Sequence, residues 1–90
     1  MKFYDTHTSS TEEKEVIKIE FEDGRQGIAI HGNWSSINAF NFVTNTLSRV
    51  SIGGTINTKT QSLEEAVKEY NDSQEHSIMK PNRIKHAVLA

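Results

Sequence analysis

Ile17-Lys18-Ile19-Glu20-Phe21-Glu22-Asp23-Gly24-Arg25-Gln26-Gly27-Ile28-Ala29-Ile30 is the stretch on which the fold turns. Ile17, Ile19 and Phe21 alternate with Lys18, Glu20 and Glu22. Successive side chains of a strand point to opposite faces, so this alternation marks a half-buried strand. Asp23-Gly24 reads as a two-residue type I′ turn, in which both central residues need positive φ. Such a turn sets the pairing: Glu22 with Arg25, Phe21 with Gln26, Ile19 with Ile28, and Ile17 with Ile30. The apolar residues of both strands then share one face. An antiparallel hairpin over about residues 15–31 is predicted.

Gly32-Asn33 breaks the second strand. Beyond it, Ile37, Phe40, Val43, Thr44, Leu47 and Val50 recur at steps of three and four, the apolar stripe of an amphipathic helix. Ser35 or Ser36 is placed to cap that helix, Trp34 to staple its entry, and Gly53-Gly54 to end it. The spacing predicts a long helix over about residues 35–51. The Thr-rich run that follows predicts a weak third strand over about residues 55–60. Ser62-Leu63-Glu64-Glu65 has the form of a capping box, and Leu63, Ala66, Val67 and Tyr70 continue it as a short helix over about residues 62–71. Residues 7–14 are wholly polar and read as a loop or arm. The segment over about residues 82–89 fits a strand through Ile84, His86 and Val88, or a helix through Ile84, Ala87 and Val88 capped by Asn82. The helix is favoured. Residues 1–90 form a single domain, a small α+β two-layer arrangement with helices on one face of a short sheet.

With 90 residues, of which 34 % are hydrophobic, the chain has a thin core. Two or three strands make too little sheet for a stable monomer, so the core is expected to be completed by a second copy. Net charge is −2, which gives no whole-molecule attraction to nucleic acid or to an anionic membrane. The absence of cysteine excludes disulfides and thiolate metal sites and is compatible with a bacterial or host cytosol. Residues Met1–His7 contain no apolar run resembling a signal peptide. Cytoplasmic localisation, away from membranes, is the expectation.

On the expected long helix, Phe42 falls opposite the core stripe, beside Asn38, Asn45 and Arg49. An exposed ring next to two amides and a guanidinium suits a planar ligand or a protein partner, although burial by a neighbouring element would equally explain Phe42. His31 ends the second strand beside Gly32, where a loop could shape a pocket with Trp34 near it. His7, His31, His76 and His86 lack any helical metal-ligand spacing, so no metal and no cofactor is expected. Lys80, Arg83 and Lys85 make the last eleven residues basic, with no acid among them. Such a run contacts phosphate or an acidic partner, or neutralises the acidic Glu64–Glu75 segment of the same chain. No nucleophile elbow, phosphate loop or carboxylate pair stands out.

The sequence therefore points to a non-enzymatic binding module acting as a homo-oligomer. It would bind, block or sequester a protein partner or a small anionic or nucleotide-like ligand. By analogy of class alone, it suits a phage or mobile-element accessory or inhibitor protein. A nucleic-acid-associated regulator using the basic C-terminal segment is the alternative. A small enzyme with a pocket at His31 is the second.

Overall fold

The computed structural model describes residues 1–75 and 81–90. They form a mixed sheet of seven strands with one helix: β1 (Lys2–Asp5), β2 (Ser10–Glu13), β3 (Val16–Phe21), β4 (Gln26–Ile30), β5 (Trp34–Asn41), β6 (Thr46–Asn57), α1 (Leu63–Gln74) and β7 (Ile84–Leu89). The strand order is β2-β1-β6-β5-β4-β3-β7. Each neighbouring pair is antiparallel except β1 and β6, which run parallel. The class is α+β, and most of the chain is β. Among the described residues, no helix is long and apolar enough to cross a membrane.

The β3–β4 hairpin forms where the alternation places it, but its register differs by one residue. The Phe21 N–H donates to the Arg25 carbonyl at 2.9 Å, and the Gly24 N–H donates to the Phe21 carbonyl at 2.9 Å. Gly24 alone in this turn takes positive φ, at 91°, while Asp23 stays outside the left-handed region. Glu22-Asp23-Gly24 is thus a three-residue loop with the glycine as its bulge, not a two-residue type I′ turn. Ile19 consequently lies opposite Gly27, Ile17 opposite Ala29, and Lys18 opposite Ile28. A slip of one residue moves every β4 side chain to the other face. Ile28 therefore points away from Ile17, Ile19 and Phe21, and the sheet has two apolar faces to cover.

One face is covered by α1. Ile17, Ile19, Phe21, Ala29, Ile37, Ile56, Ala66, Tyr70 and Ile84 form its core. Ser62 caps the helix: its Oγ accepts the Glu65 N–H at 3.2 Å and donates to the Glu65 carboxylate at 2.8 Å. Phe3, Val16, Ile28, Phe40 and Leu47 form the second core. The sheet curls over this face because of its connectivity. Lys14-Glu15 is the whole link between β2, at one end of the strand order, and β3, near the other. Three residue steps span at most about 11 Å, whereas five strand spacings in a flat sheet would need about 24 Å. Strands β1 and β2 therefore fold back toward β3. The Lys14 N–H bonds the Met1 carbonyl, and the His31 N–H bonds the Glu15 carbonyl, each at 3.0 Å.

The expected helix over residues 35–51 is instead the β5–β6 hairpin. The stripe of threes and fours is present, but Ser, Asn, Thr, Val, Ile and Phe dominate the segment, and of the strong helix formers it holds Ala39, Leu47 and Arg49. Asn41 ends β5: its Oδ1 accepts the N–H groups of Val43 and Thr44, at 2.9 and 3.1 Å. Asn45 takes φ 57°, which asparagine tolerates better than most residues. Ile37 and Phe40, three apart on a strand, point to opposite faces and into different cores. Gly53-Gly54 does not end a helix. It sits within β6 where the register against β5 shifts, and a Cβ on Gly53 would lie 2.8 Å from Phe21 Cζ.

Three further expectations are revised. The weak third strand is the end of β6, closed at Asn57, whose Oδ1 accepts the N–H groups of Lys59 and Thr60. The polar arm over residues 7–14 contains β2, which pairs with β1. The C-terminal segment is a strand, since Ile17, Lys18, Ile19 and Glu20 already offer an edge for it to pair with. The short helix stands, extended to Gln74.

Candidate functional site

The face of β5 turned away from α1 carries Ser36, Asn38 and Phe40 at two-residue steps, and Phe42 follows just beyond the strand end. Phe40 is buried in the second core and divides this row into two surfaces.

The first surface is a polar cleft. Phe3 and Asp5 point inward from β1, and Leu47 and Arg49 point the same way from β6. Asp5 lies opposite Leu47 in the parallel pair. Its carboxylate is 2 % exposed and receives Arg49 through two bonds, Nη2 to Oδ2 at 2.6 Å and Nε to Oδ1 at 3.3 Å. The His7 N–H adds a third at 2.9 Å. The Arg49 hydrogen bond is the main reason the Asp5 pKa falls to about 2; burial opposes it, and the His7 N–H adds to the lowering. The same hydrogen bond raises the Arg49 pKa. The guanidinium remains half exposed and borders a depression of about 290 Å³ lined by His7, Ser36, Asn38 and Arg49. Behind it, a smaller cavity of about 70 Å³ reaches Asp5 and Lys14 over Phe3, Ile28 and Leu47.

Asp5 gives this pair a testable pH signature. Its folded pKa lies below the ordinary aspartate value near 3.9. The stabilisation is therefore fully present above about pH 4 and is lost as pH falls toward about 2. Acid titration of unfolding free energy is expected to fall more steeply across that window in the native chain than in Asp5→Asn. Parallel curves would show that the pair contributes no pH-dependent stability.

The second surface centres on Phe42, half-buried, with its ring 4.6 Å from that of Phe40 and the Lys18 Nζ 5.3 Å above it. Lys18, Glu20, Gln26, Phe42, His86 and Val88 line a shallow depression of about 260 Å³ there.

The structure thus brings together Arg49 and Asn38 of the expected set, and separates both from Phe42. The amide of Asn45 donates to the Lys2 carbonyl, tying the β5–β6 turn to β1. The His31 Nδ1 lies 3.5 Å from a Glu15 carboxylate oxygen. Trp34 begins β5 and is 61 % exposed. Ser35 takes the Ile30 N–H on its Oγ at 2.9 Å, a strand-end contact and not a helix cap. Arg83 lies 3.1 Å from Glu75 and 3.8 Å from Glu22, so its charge is matched within the chain. Lys85 is exposed on β7. Lys80 and His76 lie outside the described residues. Among the described residues, no three of His, Asp and Glu gather as a metal site.

Sequence reasoning missed Asp5 and His7 as members of the cleft. A signal existed for Asp5: in Phe3-Tyr4-Asp5 it shares the face of Phe3, and an acid in line with a core aromatic needs a basic partner.

Compared with protein-family models, curated proteins and solved structures, the chain matches none.

Proposed function

We propose that this chain is a non-enzymatic binding module and that the cleft around Arg49 receives an acidic group, carboxylate or phosphate, of its ligand. One observation carries this reading. A buried carboxylate fixes Arg49 in place while the guanidinium stays open to solvent, and the side chains of His7, Ser36 and Asn38 around it make no hydrogen bond among the described residues. Asp5 occupies Nε and Nη2, leaving Nη1 and the outer edge of the fork for an incoming oxygen. A guanidinium already held still loses less freedom on binding than a free one. Asp5 cancels one positive charge and Glu12 is a second carboxylate acting on Arg49, so the cleft selects by directed donors and not by net field.

The test is a ¹H–¹⁵N titration with inorganic phosphate and, separately, acetate. The Arg49 Nε signal and the backbone amides of His7, Ser36 and Asn38 are expected to move together and saturably. Arg49→Gln is expected to remove the response, and Arg49→Lys, which keeps the charge without the fork, to weaken it. Shifts confined to exposed lysines, or unchanged in Arg49→Gln, overturn the assignment.

A further inference from the structure

On the reading that Arg49 receives an acidic group, we propose that the ligand is a nucleoside monophosphate whose base stacks on Trp34. Strand register fixes where Trp34 points. Trp34, Ser35 and Ser36 of β5 lie opposite Asn57, Ile56 and Thr55 of β6. Ile56 and Ile37 belong to the core beneath α1. Alternation therefore sends Trp34 and Ser36 to the other face, in line with Asn38. The indole belongs to neither core and is 61 % exposed. Its N–H has no partner among the described residues. Ser36 borders the Arg49 depression and stands one two-residue step, about 6.6 Å, from Trp34; Asn38 is one step further. A row with a ring at one end thus runs to the guanidinium fork at the other.

Between ring and fork the floor is Ser36, Thr55 and Asn38, whose side chains make no hydrogen bond among the described residues. These three parts fit the three parts of a nucleotide. A base offers the indole a flat π-face. A phosphate oxygen takes the open Nη1 of Arg49 in a charge-assisted bond. The sugar hydroxyls between them pair with Ser36, Thr55 and Asn38; an aromatic acid without hydroxyls would cover those groups and leave them unsatisfied. Electrostatics favour a single phosphate group. Asp5 already neutralises Arg49, and Glu12 acts on the same guanidinium. A nucleic-acid strand repeats its charge at every residue and binds through several cations, whereas the row from Trp34 to Asn38 holds none.

Trp34 is the single tryptophan of the chain, so its fluorescence reports this ring directly. Excited where the base does not absorb, it is expected to be quenched saturably by adenosine 5′-monophosphate and not by ribose 5-phosphate. The nucleotide is expected to bind about 5- to 150-fold more tightly than ribose 5-phosphate, the contribution of one stacked base. Trp34→Leu is expected to erase that difference and Trp34→Phe to keep part of it. Trp34 lies outside both cores, so both variants are expected to fold and to keep the Arg49 Nε shift with ribose 5-phosphate. Equal affinities in the native chain, or a difference that Trp34→Leu retains, overturn the stacking and leave the Arg49 assignment standing. Quenching with an unmoved Arg49 Nε signal overturns both. Hexathymidylate that binds more tightly than the nucleotide, with a salt slope steeper than the roughly −0.7 of one contact, gives the row to a nucleic-acid strand and overturns the free nucleotide.

Discussion

Phe21→Ala is expected to cost about 3–5 kcal/mol of unfolding free energy, as truncations of buried rings do. Phe21 is fully buried and closes the β3–β4 loop. Its ring lies 6.4 Å from that of Tyr70, centroid to centroid, and Arg25 stacks over it at 5.1 Å. Gly53 approaches so closely that a Cβ there would sit 2.8 Å from the ring. The ring therefore joins α1, the β6 bulge and the first hairpin at one point. Domains hold only about 5–15 kcal/mol in total, so the variant is expected to be largely unfolded at modest denaturant. Chemical denaturation read by circular dichroism checks it. A loss under about 1 kcal/mol, the ordinary effect of a point change, would show that this junction is not packed as described.

Gly27→Ala is expected to destabilise by about 1–3 kcal/mol although it adds only a methyl group. Gly27 lies opposite Ala39 and Ile19 in the centre of the sheet. Its Cβ would fall 2.4 Å from the Asn38 carbonyl oxygen and 2.8 Å from Ile52 Cδ1. The isoleucine end can turn aside. The carbonyl is backbone, and moving it disturbs the one short stretch, Gly27–Ala39 and Ile28–Asn38, by which β4 and β5 pair. At Gly24 nothing lies within 4 Å of the added carbon, but φ is 91°, so alanine there is strained for a different reason. Thermal midpoints are expected to fall by about 4–8 °C for each kcal/mol lost in a domain of this size. An unchanged midpoint for Gly27→Ala would contradict the close strand approach.

Local patterns were legible where one interaction dominated. The alternation through Ile17, Ile19 and Phe21 gave β3, and Ser62 with Glu65 gave the start of α1. The register of the first hairpin was not legible, because Asp23-Gly24 serves equally as a two-residue turn or as the end of a three-residue one. Choosing between them needs the second core, in which Phe3 of β1 covers Val16, Ile28, Phe40 and Leu47 from four other strands. Residues 35–51 show the complementary difficulty. Ile37, Phe40, Val43 and Leu47 fit a helical stripe, and strand pairing overrode it because the intervening Ser, Asn and Thr residues do little for a helix. Asn41 and Asn45 were the turn signals that the stripe obscured.

The candidate cleft was half legible for the same reason. Asn38 and Arg49 are neighbours on the expected helix, which they do not occupy, and two paired strands bring them to the same depression. Asp5 and His7 come from β1 and the turn after it, more than forty residues before Arg49. No spacing rule links them to Arg49, and only the parallel β1–β6 pairing does.

That pairing has a consequence for how occupancy and folding depend on each other. Strands β1 and β6 pair in register at Tyr4–Thr46 and Asp5–Leu47, the Tyr4 N–H bonds the Asn45 carbonyl, and the Thr6 N–H and hydroxyl both bond the Leu47 carbonyl, closing a loop of 41 residues. The β1–β2 pair is a candidate unit of local opening, because its hold on β6 comes from bonds of long sequence separation. When it lifts away, Arg49 loses Asp5 and the cleft loses His7 together. A ligand gripping both sides favours the closed arrangement by mass action. Cleavage by a protease in residues 6–9 therefore becomes a gauge of occupancy: its rate falls as ligand rises, with no need for a reporter at the site itself.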